Sequence, residues 1–183
     1  MQLQHEIVVA AAQMLTDRHG NTSIELARGL AEEVVRTFGE VRLRVIGTSM
    51  VPSLLPGDLV SIHRASLQDI CPGEVVLFLQ KGRLVVHRVV DRKVPATSDS
   101  PEHSSLITRG DRLRHDDPPV SSLELLGRVV SVERDNQKVE LPAHGSNRPI
   151  VRLLQASDRL TYLYLRLASC WRTLFLGRAK CRA

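Results

Sequence analysis

Gly47-Thr48-Ser49-Met50-Val51-Pro52-Ser53-Leu54-Leu55-Pro56-Gly57-Asp58 separates two apolar runs, Val41-Arg42-Leu43-Arg44-Val45-Ile46 before it and Leu59-Val60-Ser61-Ile62 after it. Each run is short, rich in Val, Leu and Ile, and bounded by Gly or Pro, which predicts a strand on either side of a punctuated loop. A serine so placed stands at the rim of a sheet, where loops carry function. Taken alone, the same residues also describe a plain strand connection, with Gly47 free to take an unusual backbone conformation and Pro56-Gly57 forming a turn. Short apolar runs between Gly/Pro turns continue from residue 41 to residue 141. The region therefore reads as mainly β, and the whole chain as α+β.

Downstream, more segments of this kind follow in order. Pro72-Gly73-Glu74-Val75-Val76-Leu77-Phe78 leads through a Lys81-Gly82 turn into Leu84-Val85-Val86-His87-Arg88-Val89-Val90. Thr108-Arg109-Gly110-Asp111 and His115-Asp116-Asp117 come next, then Leu126-Gly127-Arg128-Val129. The run Gly-x-Ser-Met-x-Pro-x-Leu-x-x-Gly-Asp resembles the nucleophile segment of type I signal peptidases and of their superfamily relatives, the self-cleaving repressors of the bacterial DNA-damage response. The later segments are similar, in the same order, to that superfamily's second strand, base strand, Lys-Gly-Asp segment and closing strand. Five segments over residues 41 to 133 carry the resemblance, and their order is far more specific than any one of them.

The resemblance implies Ser49 as a nucleophile, His87 as its general base, and an acid that orients the histidine. A serine hydroxyl is a poor nucleophile until a neighbouring base takes its proton. Bacterial housekeeping signal peptidases use lysine as the base; the endoplasmic-reticulum, archaeal and sporulation types use histidine, and His87-Arg88 is similar to the latter. An ordinary imidazole, with a pKa near ~6.5, is mostly neutral at cellular pH and can accept the proton. A carboxylate that fixes its tautomer completes such a site, since loss of that partner costs up to ~10⁴ in rate. Asp117 matches the orienting acid, with Asp111 as a supporting or alternative member. Asp116-Asp117-Pro118-Pro119 on its own also fits a polar turn.

Departures from the pattern are as informative as matches. Gly47 stands where many relatives carry a hydroxyl that helps hold the oxyanion, which leaves backbone N–H groups such as that of Ser49. Arg112-Leu113 replaces an Asn-rich pair after Asp111. The apolar membrane anchor that precedes the nucleophile in signal peptidases is not evident. Instead, Ile7, Val8, Ala11, Met14 and Leu15 recur at helical spacing up to His19-Gly20. Thr22-Ser23-Ile24-Glu25 reads as a capping box opening a second helix that carries Ile24, Ala27, Ala31, Val34, Val35 and Phe38 on one side, with Gly39 after its end. Glu25, Arg28, Glu32, Glu33 and Arg36 interrupt this segment too often for it to span a bilayer. No secretory signal is read in the opening Gln-Leu-Gln-His-Glu and the short run that follows. Two short helices are thin for a helix-turn-helix module, which usually has a third. They are expected to cover one side of the sheet.

Charge is distributed unevenly. The chain holds 25 basic and 20 acidic residues, net +5. Arg148, Arg152, Arg159, Arg166, Arg172, Arg178, Lys180 and Arg182 face a single acid, Asp158, in residues 148 to 183. The basic balance thus belongs to the tail. There Leu153, Leu160, Tyr164, Leu167, Trp171 and Leu174 recur at steps of three, four or their sum, seven, predicting an amphipathic helix from about Ile150 to Leu176 with arginines along its edge. Such a helix suits peripheral contact with a membrane interface, or packing on the protein itself. Its apolar stripe argues against a specific nucleic-acid surface.

With 183 residues, 43% of them apolar, the chain can bury a core. The reading divides it into an N-terminal helical pair (1–40), a signal-peptidase-like β catalytic domain (41–142) and a basic C-terminal helix (143–183). Pro95 to Ser105 reads as a surface insertion. Cys71, Cys170 and Cys181 form no disulfide framework and lean towards a reducing compartment. A cytoplasmic location, with or without peripheral attachment to the cytoplasmic membrane, follows as the expectation. His63, His103, His115 and His144 lack ligand spacing, so no metal and no organic cofactor is expected. The reaction class expected from the resemblance is hydrolysis of an extended protein or peptide substrate after small residues, through an acyl-enzyme on Ser49. Two rivals remain. A self-cleaving repressor would have an Ala-Gly or Cys-Gly bond upstream of the serine, and neither dipeptide occurs in the chain. A non-catalytic module could bind peptide on the same fold. Oligomeric state is not readable.

Overall fold

The computed structural model describes residues 22–94, 104–142 and 149–179. The apolar runs of the sequence become strands: β1 (Glu40–Arg44), β2 (Leu59–His63), β3 (Val75–Gln80), β4 (Arg83–Lys93), β5 (Ser105–Arg109), β6 (Leu125–Arg134) and β7 (Gln137–Val139). They form one seven-stranded sheet in the order β1-β2-β6-β3-β4-β5, with β7 paired to β6. Every pairing is antiparallel. β6 enters between β2 and β3, so it joins the β1–β2 hairpin to the β3–β4–β5 meander. The Lys81-Gly82 and Asp135-Asn136 connections are left-handed at both residues (φ 47, 75 and 52, 63). Two-residue turns of that kind match the twist of the strands they join.

Alternation along β3 buries both faces of the sheet. Val75 and Leu77 enter one cluster with Val35, Val41, Met50, Leu54, Val60, Ile62 and Val132. Val76 and Phe78 enter the other with Leu67, Ile70, Val89, Leu106 and Val120. Helix α1 (Thr22–Phe38) lies against the first face through Ala31 and Val35, both buried. It stops at Gly39, whose φ of 79° is a left-handed conformation that suits glycine at a helix end. The second of the two N-terminal helices therefore forms as expected. The first, over Ile7 to Leu15, lies outside the described residues, as does most of the Pro95 to Ser105 insertion.

The single C-terminal helix expected from Ile150 to Leu176 is corrected to two: α2 (Pro149–Ala156) and α3 (Asp158–Ala179), broken at Ser157. Pro149 is at home in a first turn, where its missing N–H costs nothing. The break is held by Thr161, whose hydroxyl donates to the carbonyl of Leu154 at 3.2 Å and whose N–H donates to that of Ser157 at 3.2 Å. Leu154 of α2 and Tyr164, Leu165 and Ala168 of α3 thereby converge on Val51 and Leu55 of the β1–β2 loop. None of the described helices is long and apolar enough to cross a membrane.

Candidate active site

Ser49 sits in a loop that its own apolar residues hold down. Met50 and Leu54 point into the core under the sheet, while Val51 and Leu55 point to the C-terminal helices. Val45 N–H donates to Asp58 O at 2.8 Å and Gly57 N–H to Val45 O at 2.7 Å, closing the base of the loop. The buried Asp58 carboxylate accepts the Leu55 N–H at 2.8 Å and both arms of Arg134 at 2.9 and 2.6 Å. The hydrogen bond to Asp58 raises the Arg134 guanidinium above its ordinary pKa, outweighing partial burial, and the attraction of the carboxylate adds to it.

His87 comes from β4, opposite Val76 on β3, with the ring of Phe78 set edge-on at 6.2 Å. Its Nε2 lies 2.9 Å from Ser49 Oγ and its Nδ1 2.6 Å from Asp117 Oδ2. Only 6% of His87 is exposed, so water competes little for either contact. An ionised carboxylate only accepts, so Nδ1 carries the ring proton and Nε2 is left to accept from the serine hydroxyl. Asp117 is fixed in turn by β5: its N–H donates to Thr108 O at 2.8 Å, and Thr108 Oγ1 donates to Asp117 Oδ2 at 2.8 Å. The Ser49 N–H makes no hydrogen bond to another described residue, which leaves it free to meet developing negative charge.

Asp111 lies elsewhere. It does not meet His87; Arg88 donates to both its oxygens at 2.8 and 2.9 Å, and the Ser53 hydroxyl donates to it as well. Adjacent residues of a strand face opposite ways, so His87 and Arg88 reach different partners from neighbouring positions. Arg88 also donates to Gly73 O at 2.7 Å. This buried pair ties β4, the segment after β5 and the nucleophile loop into one unit.

Gly110 fills a gap that would admit nothing larger. A Cβ there would lie 2.8 Å from Ser49 O, 3.0 Å from His87 Nε2 and 3.0 Å from Leu113 Cγ. Arg112, a departure from the expected pattern, turns out to clamp the serine turn. Its N–H donates to Ser49 O at 2.8 Å, its Nε to Thr48 O at 3.2 Å, and its Nη1 pairs with Asp158 of α3 at 2.6 Å. Gln155 of α2 donates to Asp111 O at 3.1 Å and Leu113 O at 3.3 Å.

Reading by residue, the structure brings Ser49, His87 and Asp117 together and sets Asp111 one shell away. Gln155 was not singled out by the sequence; Arg88 and Thr108 stood inside quoted segments without a role, with strand alternation as the available signal, and Arg112 was noted only as a departure. Among the described residues no three His, Cys, Asp or Glu side chains converge as a metal site. His63 pairs with Glu40 at 3.5 Å.

A family model described as Peptidase S24-like matches residues 5–130, more than half of the chain. No curated protein matches the chain.

Proposed function

The chain belongs to the Peptidase S24-like family, and from that premise we propose that it is a serine endopeptidase in which Ser49 attacks the peptide carbonyl. His87 takes the serine proton and later returns it to the leaving amine. Asp117 holds the imidazole in the required tautomer and balances the cation that forms during attack. The Ser49 N–H is the donor available to the oxyanion. Water then releases the acyl group from Ser49, with His87 again the base. The substrate is an extended peptide, cut after a small residue, a preference carried over from the resemblance to signal peptidases.

The observation that supports the reading most is the unbroken line of contacts from Ser49 Oγ through His87 to Asp117 at 2.9 and 2.6 Å. Asp117 is the orienting acid in this proposal, and Asp111 is structural.

The test is cleavage of a random peptide mixture by purified protein, followed by mass spectrometry of new termini. Ser49→Ala and His87→Ala are each expected to abolish new termini while leaving the circular dichroism spectrum unchanged. Turnover within about tenfold of the parent would overturn the role of either residue. Two fragments of the protein itself, appearing at raised pH, would instead indicate self-cleavage.

A further inference from the structure

An open cavity of about 380 Å³ is lined by Arg109, Leu113, Arg114, Arg152 and Gln155, and of these Leu113 approaches the Ser49–His87 pair. Its size falls in the range of small-ligand pockets. It opens where the segment after β5 meets α2. Leu113 is the wall it shares with the reacting groups, since Leu113 Cγ and His87 Nε2 are each 3.0 Å from the same point above Gly110. Gln155 is occupied with the backbone of Asp111 and Leu113, so it shapes the wall.

The charge of this cavity is lopsided. Arg109 pairs with Asp116 at 3.2 Å. Neither Arg114 nor Arg152 has a hydrogen-bond or ion-pair partner among the described residues. Two like charges facing one concave surface repel each other, and an anion between them would relieve the repulsion. Guanidinium is the cation whose planar fork matches a carboxylate with two parallel hydrogen bonds.

We infer that this cavity docks a carboxylate of the peptide substrate, through Arg114 and Arg152, so that the enzyme selects chains with an acidic group close to the bond it cuts. The inference rests on the peptidase reading above. The carboxylate has two sources, an Asp or Glu side chain or the terminal carboxylate of the peptide.

Binding can be measured apart from chemistry by fluorescence anisotropy on the full-length Ser49→Ala protein. The probes are short fluorescein-labelled, alanine-rich peptides carrying Glu, Gln or Lys at one position at a time, each made as free acid and as terminal amide. Glu peptides are expected to bind about tenfold tighter than Gln peptides if the side chain docks, and free acids about tenfold tighter than amides if the terminus docks. The preference should shrink with added salt. It should disappear in Arg114→Gln/Arg152→Gln, two exposed positions whose replacement leaves the fold intact, and turn towards Lys peptides in Arg114→Glu/Arg152→Glu. Equal binding of acidic and neutral peptides, no binding by any of them, or a preference unmoved by both double substitutions would each sink the proposal. Binding with the acid preference but no cleavage by the unsubstituted protein would sink the peptidase reading and leave the carboxylate site standing.

Discussion

Asp111 and Asp117, six residues apart, have opposite consequences when neutralised. Asp117 touches His87 and Thr108, so Asp117→Asn keeps the shape but hands the ring the wrong tautomer. The expected result is a loss of up to about 10⁴ in kcat with little change in thermal midpoint. Asp111→Asn strands Arg88, which is only 6% exposed. Leaving one buried charge of a pair uncompensated costs about 3–5 kcal/mol, so its thermal midpoint falls well below the parent's. Kinetics and calorimetry on the two variants separate the roles, and a swap of these outcomes would reverse the assignment. In the sequence both acids looked eligible. Each lies in a turn-like stretch, and what distinguishes them is a register, Val89 against Thr108 and Arg88 against Arg109, that no local pattern encodes. Ser49 and His87 were legible because each sits inside a run whose punctuation and order are themselves the signal.

At the scale of elements, the strands were the easy part: hydrophobic runs between Gly and Pro turns predicted β1 to β4 and the start of β6, while β5, on the edge of the expected insertion, and the short β7 were not read as strands. The tail was harder. A stripe of apolar residues running through Ile150 to Leu176 describes one helix or two equally well, and Ser157-Asp158 in its middle is the start signal that separates them. The break matters because α2 and α3 together cover Val51 and Leu55, two residues of the loop that carries Ser49. Leu154→Ala removes the buried centre of that small cluster. It is expected to cost about 2–5 kcal/mol, measured as a shift in denaturant midpoint. It should also slow acylation of Ser49, because the loop loses one of its two apolar seats; an unchanged rate would show that the other seat suffices.

Over the whole molecule, β6 links two halves that hold different parts of the site. The β1–β2 hairpin carries Ser49, and the β3–β4–β5 meander with its following segment carries His87 and Asp117. Arg134, at the end of β6, reaches back to Asp58 at the foot of the serine loop. Arg134→Gln would leave that fully buried carboxylate without its cation. The expected cost is about 3–5 kcal/mol in global stability, and equilibrium unfolding checks it. The Arg134 guanidinium contributes no slope to stability near neutral pH. A cation held above its ordinary pKa gives its full contribution below that ordinary value, and loses it only as pH climbs through the raised one. The same topology sets a timetable. β6 is the sixth strand to leave the ribosome but the one on which the halves of the sheet meet, so a nascent chain carries its serine and its histidine for many residues before the sheet can bring them side by side. The candidate site, so built, starts out divided, and it is assembled only with the strand that closes the sheet.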